Sequence, residues 1–223
     1  MVPDRETEWT AGLPFRRVGR AEHARVAATL VEAFRDDPLG EWLFPDGGTR
    51  ARLSAEFFRA TVEWTAAHGG LVMASPGYEC VYTAYLPGGD PAEDDVARLP
   101  AVRARADALG VSDRMTDQRR RILPPHLYAT YCGVEPGARG RGLFRTALAE
   151  VAAWCDDRGI AFYCEATSPD GAIRYERAGF PRWGAPIALP DGPSLYPVWR
   201  ACAAEGGTAP PRALATSSPG DGP

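Results

Sequence analysis

The sequence predicts an α/β (α+β) fold in which helices cover a mixed sheet. Short runs rich in β-branched and aromatic residues alternate with amphipathic segments of helical spacing. The chain has 223 residues, of which 45% are hydrophobic and 24% charged, enough for one substantial core. We therefore expect a single domain over residues 14–201, preceded by a mobile arm at 1–13. The Gly, Pro and Ala-rich stretch 202–223 is expected to be a disordered tail.

The first half of the chain reads as two helices packed beside an edge strand and a hairpin. Val26, Leu30 and Phe34 recur at helical spacing, and Pro76-Gly77 is typical of a turn between strands. The predicted elements are a strand at 15–18, a helix at 21–35, a helix at 49–68, and strands at 71–75 and 78–86.

The second half alternates strands and helices more regularly. Pro100 and Gly110 interrupt an Ala- and Arg-rich stretch, which therefore predicts two short helices. The predicted elements are those helices within 91–121, a strand at 126–134, a helix at 142–158, a strand at 160–166, a short helix at 171–178, and strands near 180–188 and 195–200.

Composition excludes several function classes. The formal net charge is −4, so nucleic acid and anionic membrane surfaces are not expected partners. The sequence offers neither a bilayer-spanning run nor a signal-peptide pattern, which predicts a cytoplasmic protein. It contains no lysine, which excludes a lysine Schiff base and the lysine-containing phosphate loop. Five scattered cysteines and three histidines match no zinc spacing, so we expect reduced thiols and no metal.

The segment from Cys132 to Phe144 carries the chemistry, because a strand there runs through a glycine-rich turn into a helix. Free N–H groups of the first helical turn stabilise phosphate or pyrophosphate, and Arg139 and Arg141 add positive charge.

The glycine-rich turn has two alternative interpretations, and the first is a solvated turn without a ligand. A dinucleotide site is another, since Gly140-Arg141-Gly142 supplies two of the three glycines of the fingerprint. That alternative, an NAD(P)-dependent oxidoreductase, is weakened because too few βα units follow.

The same segment resembles the R/Q-x-x-G-x-G/A acetyl-CoA motif of the GNAT superfamily of N-acetyltransferases. Arg139-x-x-Gly142 matches it, and residues 172–180 resemble the Y-E-R/K-x-G-F helix of that superfamily. Within it the chain looks most like the puromycin N-acetyltransferase group and its actinobacterial relatives. The resemblance spans about residues 14–201. It implies a mostly antiparallel central sheet of six to seven strands, splayed at an acetyl-CoA site, and a small-molecule primary amine as acceptor. The resemblance also leaves open whether the protein forms a homodimer.

The resemblance also implies roles for particular residues. Backbone groups of Cys132 and Val134 would pair with the pantetheine arm of the coenzyme, and Tyr175 would protonate the leaving thiolate. A phenol, with its pKa near 10, is neutral at pH 7 and can donate that proton. The residues that would cradle the pyrophosphate are Arg139, Gly140, Arg141, Gly142, Leu143 and Phe144. Phe144 stands where the superfamily usually has Gly or Ala, and Ser168 stands near a common Asn.

An amine must lose a proton before it attacks a thioester, so a carboxylate or histidine is expected nearby. Glu165, at the end of a predicted strand, is the first candidate. His126 is the second, since the two-residue period of a strand puts it on one face with Thr130 and Cys132.

Acids and aromatic residues of the first half are expected to form the acceptor side and suit a cationic amine with an apolar body. They are Asp36, Asp37, Trp42, Phe44, Phe57, Phe58, Trp64, Tyr82 and Tyr85; ordinary helix core is the alternative for most of them. A domain that binds CoA or a metabolite without acetyl transfer is the alternative function.

Overall fold

A computed structural model describes residues 15–87 and 125–203 and shows one seven-stranded sheet. The strands are β1 (Arg16–Arg17), β2 (Leu71–Ala74), β3 (Cys80–Tyr85), β4 (His126–Val134), β5 (Ala161–Ala166), β6 (Ile187–Ala188) and β7 (Ser194–Arg200). Their order in the sheet is β1-β2-β3-β4-β5-β7-β6. Among the strands of the described residues, β4 and β5 pair in parallel and the other neighbours are antiparallel. The mixed, mostly antiparallel sheet is confirmed.

Helices cover both faces of the sheet. They are α1 (His23–Ala33), α2 (Pro38–Leu43), α3 (Gly47–Ala67), α4 (Leu143–Asp157) and α5 (Pro169–Arg177), with short 3₁₀ turns at Arg20–Glu22 and Pro136–Ala138. Side chains of α4 and α5 pack with alternate residues of β3, β4 and β5 in one core. Those of α1 and α3 pack with Val72, Ala74, Val81 and Tyr131, from β2, β3 and β4, in a second core on the other face. We call these two sides the α4 face and the α1 face.

Two elements differ from the sequence prediction. Asp37 and Pro38 were expected to end the first helix, but α1 ends at Ala33, and Asp37 caps the short helix α2 by accepting a hydrogen bond from the N–H of Leu39 at 3.0 Å. The strand predicted near 180–188 is reduced to β6 and one isolated bridge from Arg182 to Val198. Pro181 is followed by a glycine and a second proline before residue 187. Prolines and glycines disfavour strands, which explains why regular pairing of this segment with β7 begins only at Ile187.

Several predictions fall outside the described residues. These are the arm at 1–13, the two helices within 91–121 and most of the tail at 202–223. In the two ranges that the structure describes, none of the helices combines the length and apolarity needed to cross a membrane. All five cysteines lie in these ranges as free thiols.

Candidate active site

The central feature of the candidate site is a gap in the sheet between β4 and β5. The two strands pair only from His126 to Tyr128 and from Ala161 to Tyr163, although β4 continues to Val134. We call the gap beyond this register the splay. It leaves the β5-facing backbone edge of β4 outside the ladder, where its N–H and C=O groups are available to an extended ligand. The expected splay is confirmed.

A β-bulge in β4 decides which side chains face each side of the splay. Thr83 of β3 pairs with Tyr131 but Ala84 pairs with Ala129, so Thr130 is an extra residue in β4. The Thr130 hydroxyl lies 2.6 Å from that of Thr83 and 3.1 Å from its carbonyl oxygen, which holds the bulge in place. Cys132 therefore lies in the core of the α4 face. The expectation that Cys132 shares a face with His126 was wrong, because the bulge shifts the two-residue period.

The glycine-rich turn after β4 leads directly into α4. Gly140 and Gly142 have φ of +79° and +81°, a left-handed conformation that side-chain-bearing residues adopt at a cost. Gly142 is also the N-cap of α4 and has no side chain to cap it, so no side chain of the residues that the structure describes caps the first N–H groups of the helix, from Leu143 onward. These groups suit a phosphate or pyrophosphate, and the turn therefore fits the diphosphate of a coenzyme A molecule.

The two arginines of the turn have different surroundings. Arg139 donates a hydrogen bond from Nη2 to the carbonyl oxygen of Ala33 at 3.0 Å, and so joins the turn to the end of α1. The Arg141 guanidinium is 58% exposed and lies 3.6 Å from a carboxylate oxygen of Glu79. Arg141 can reach an anion at the turn at little cost, since an exposed ion pair of this kind contributes at most about 1 kcal/mol.

Phe144 does not close the turn. Its ring packs inward against the core of the α4 face and contacts the ring of Tyr175 edge-on, with centroids 5.1 Å apart. The unusual side chain at this position therefore supports Tyr175 and leaves the backbone of the turn open.

Tyr175 of α5 lies on the α4 face near Cys132 and Cys164, residues of the two splayed strands. It is 9% exposed. Burial raises the pKa of its hydroxyl well above the usual value, with smaller contributions from the nearby thiols and a hydrogen bond to Cys164. The phenol therefore stays protonated at neutral pH and can act as a proton donor.

Carboxylates lie on the other face of the splay. Glu165 accepts a hydrogen bond from the hydroxyl of Tyr128 at 3.1 Å. Asp37, in the α1–α2 connection, accepts one from the hydroxyl of Thr167 at 2.5 Å. Burial raises the pKa of Asp37 above its usual value, which its hydrogen bonds only partly oppose. Both carboxylates also raise the pKa of the Tyr131 hydroxyl, whose largest perturbation is burial, so the three groups are close.

His126 lies away from this group. It pairs with Ala161 at the start of the parallel register, whereas Glu165 lies two residues beyond Tyr163, the partner of Tyr128. Because Ala161 and Glu165 are four residues apart in β5, His126 and Glu165 are about 13 Å apart along the strand direction. The ring of His126 instead packs near Trp199, with centroids 5.8 Å apart.

Ser168 has a structural role. Its side chain caps α5 by accepting a hydrogen bond from the N–H of Gly171 at 3.1 Å. This cap fixes the start of the helix that carries Tyr175.

Most of the expected acceptor residues serve the core. Phe44, Phe57 and Phe58 pack among themselves and with α1, and the rings of Phe57 and Phe58 also contact the ring of Tyr131 edge-on. Tyr82 lies on the α4 face and not on the acceptor side. Trp64 stacks on a histidine at the end of α3. Asp37 is the expected acid that the fold brings to the splay, whereas Tyr128, Tyr131 and Thr167 join it without having been expected, because no local pattern marks them.

Known structures share this fold. A histone acetyltransferase and related acetyltransferase from Corynebacterium glutamicum matches with a TM-score of 0.58 at 25% identity, covering 86% of this chain and 97% of its own. A variant of an agmatine N-acetyltransferase in its apo form matches at 0.56 and 18% identity, over 83% and 97% of the two chains. A polyamine N-acetyltransferase from Drosophila melanogaster matches at 0.57 and 17% identity, over 83% and 98%.

No protein-family model and no curated protein matches the sequence. The structural neighbours nevertheless define the class: the chain has a GNAT-type fold, the architecture of acetyltransferases. The Rossmann alternative requires several parallel βα units, and the mostly antiparallel sheet does not provide them. The closer likeness to the puromycin group stays a prediction.

Proposed function

We propose that this protein is an N-acetyltransferase that moves an acetyl group from acetyl-CoA to the primary amine of a small molecule. The observation that carries the proposal is the splay, which has a protonated phenol, Tyr175, on one face and two carboxylates, Asp37 and Glu165, on the other. A proton donor and proton acceptors thus lie on opposite sides of one opening. The N-acetyltransferases among the structural neighbours support an amine as acceptor.

The residues present fit the coenzyme. The uncapped N–H groups at the start of α4, with Arg139 and Arg141 beside them, would hold its diphosphate. The open edge of β4 near Cys132 and Val134 would hold its extended arm. When bound, acetyl-CoA supplies an activated acyl thioester.

Protein groups would then manage the two protons of the reaction. Glu165 accepts the proton of the amine, directly or through a water molecule, and Asp37 is the second carboxylate of that side. Tyr175 donates its proton to the leaving sulfur, a role for which burial keeps it neutral. Cys132 is a poor nucleophile, because a hydrogen bond with Cys80 and burial raise its pKa. We therefore expect direct attack in a ternary complex and sequential kinetics.

The first test is thermal unfolding with acetyl-CoA, CoA and NADPH in parallel. A ligand at about 100 times its Kd adds about 2.7 kcal/mol to the stability of the native state. Stabilisation by acetyl-CoA and not by NADPH supports the coenzyme site. Thiol release is then measured with agmatine, a polyamine and an amine-bearing antibiotic, the last because of the resemblance to the puromycin group. Binding without thiol release from any amine would favour a CoA-binding domain without transferase activity.

Tyr175→Phe tests the proton donor. We expect turnover to fall about 10²- to 10³-fold with little change in acetyl-CoA affinity, since general acids contribute about 10²- to 10⁴-fold. Tyr82→Phe is the matched control, because it also removes a buried hydroxyl from the α4 face. The Tyr82 hydroxyl has no hydrogen-bond partner among the described residues. Equal turnover in the two variants would remove Tyr175 from the mechanism.

Glu165→Gln and Asp37→Asn separate the carboxylates. The variant that lacks the base should lose the rise of kcat/KM with pH, whereas the variant that lacks only an amine-binding charge should keep this profile and raise KM. An unchanged pH profile in Glu165→Gln would contradict its proposed role and leave it to Asp37.

A further inference from the structure

The side chain of Arg139 ties the glycine-rich turn to the acceptor side of the splay. Its Nη2 donates a hydrogen bond to the carbonyl oxygen of Ala33 at 3.0 Å, although the two residues lie 106 positions apart in the sequence. Ala33 is the last residue of α1, where carbonyl groups have no partner within the helix. A guanidinium at this place satisfies one of these carbonyl groups and complements the negative end of the helix dipole.

The same end of α1 lies directly on the splayed strand β4. A Cβ on Gly133 would lie 2.8 Å from the Cβ of Ala33, so helix and strand are in contact with no room between them. The end of α1 is therefore held from two sides by one segment of the chain, through the backbone of Gly133 and through the side chain of Arg139.

The chain that leaves α1 reaches Asp37 within four residues. The N–H of Phe34 donates to the carbonyl oxygen of Leu30 at 2.9 Å, and the N–H of Asp37 donates to that of Phe34 at 3.2 Å. Asp37 then caps α2 and accepts the hydrogen bond from Thr167 at the splay. Since each step is a hydrogen bond, the position of the Asp37 carboxylate follows the position of the end of α1.

The guanidinium of Arg139 can serve two acceptors. Arg139 is exposed, and within the described ranges the bond to Ala33 is the one hydrogen bond that its side chain makes. A guanidinium has five N–H donors in a fixed plane, so it can bind a second acceptor without giving up the first. Arg141, the other arginine of the turn, lies 3.6 Å from Glu79 and forms no hydrogen bond with the described residues of α1.

We propose that Arg139 is a positioning residue that links the two substrate sites, because its guanidinium donates to the diphosphate of CoA and to the Ala33 carbonyl together. An exposed arginine loses side-chain entropy when it is held in place. Once the diphosphate holds it, the bond to Ala33 no longer carries that loss and becomes stronger. The coenzyme thereby orders residues 34–37 and the Asp37 carboxylate, which couples the two sites. This inference rests on the coenzyme site proposed above.

Amide hydrogen exchange of the full chain tests the link, because the N–H groups of Phe34 and Asp37 report on this segment. One hydrogen bond changes a local opening equilibrium about two- to tenfold, so saturating CoA should slow exchange at both amides by that factor. We expect the same effect from 3′-phospho-ADP, which has the diphosphate but no pantetheine arm, and none from pantetheine. Slowing by pantetheine and not by 3′-phospho-ADP would overturn the role of Arg139.

Two variants separate the link from simple charge. Arg139→Met and Arg141→Met each remove one positive charge from the turn, and CoA is raised until thermal unfolding shows saturation. Arg141→Met should keep the slowing at Phe34 and Asp37, whereas Arg139→Met should lose it and still show CoA protection at Leu143, the start of α4.

The ratio of exchange rates with and without CoA decides the result. An unchanged ratio in Arg139→Met, even with faster exchange throughout, would show a purely structural role and overturn the proposal. Protection at Leu143 of the parent without slowing at Phe34 and Asp37 would overturn it as well. Lack of protection at Leu143 would instead refute the coenzyme site, and the link with it.

Discussion

Gly133 allows α1 to lie directly on β4, and substitution there should separate them. A Cβ at this position would lie 2.8 Å from the Cβ of Ala33 and 3.1 Å from Cδ2 of Leu30. Carbon atoms pack at about 3.5 to 4.0 Å, so α1 or β4 must move. Overpacking of this kind costs about 1 to 3 kcal/mol. For a domain of this size, that corresponds to a fall in Tm of roughly 2 to 12 °C.

Urea denaturation of Gly133→Ala measures this cost without any ligand. Ala33→Gly removes the nearer of the two methyl groups and should relieve the variant in a double-mutant cycle. Its own cost is about 0.5 to 1 kcal/mol, because glycine is unfavourable in a helix. The sum of the single effects should therefore exceed the effect of the double variant. A loss below about 0.5 kcal/mol in Gly133→Ala, or additivity within that amount, would refute the close-approach reasoning.

Three further predictions concern the surroundings of the splay. Gly192→Ala places a Cβ 2.4 Å from Nε1 of Trp42 and should therefore displace α2. We expect the KM for the amine to rise more than the Kd for acetyl-CoA. Equal changes in both constants would contradict this prediction. Because burial raises the folded-state pKa of Asp37, its carboxyl lowers stability as pH rises through that pKa. Asp37→Asn should therefore gain stability relative to the parent as the pH rises above about 4, the usual pKa of an aspartate, in urea titrations at several pH values; a difference that does not change with pH would contradict this linkage. Phe144→Leu removes the ring contact with Tyr175 and should lower kcat while acetyl-CoA Kd, measured by calorimetry, stays unchanged; weaker binding would show that Phe144 shapes the turn instead.

The element pattern was largely predictable because it depends on neighbours in the sequence. Helical spacing located α1, α3 and α4 to within a few residues, and the strand-to-helix turn at Gly142 followed from its glycines. The α2 helix was missed because six residues are too few to show a period. Asp37 was expected to end the first helix, but it is the cap of the next one.

The faces of β4 were not predictable. The two-residue period assigns Cys132 to the side of His126 only if the strand is regular. The bulge at Thr130 breaks the period, and it is held by hydrogen bonds of the Thr130 hydroxyl to Thr83, 47 residues earlier in the chain. No local pattern carries this information.

The sequence by itself therefore determined which segments become helices and strands, and which turn can hold an anion. These features depend on residues within a few positions of one another. Only the tertiary structure decided that Tyr175 and the carboxylates flank one gap. Asp37 meets Thr167 across 130 residues of chain. Such a contact depends on sheet order and strand register, which result from packing of the whole core and not from any one segment.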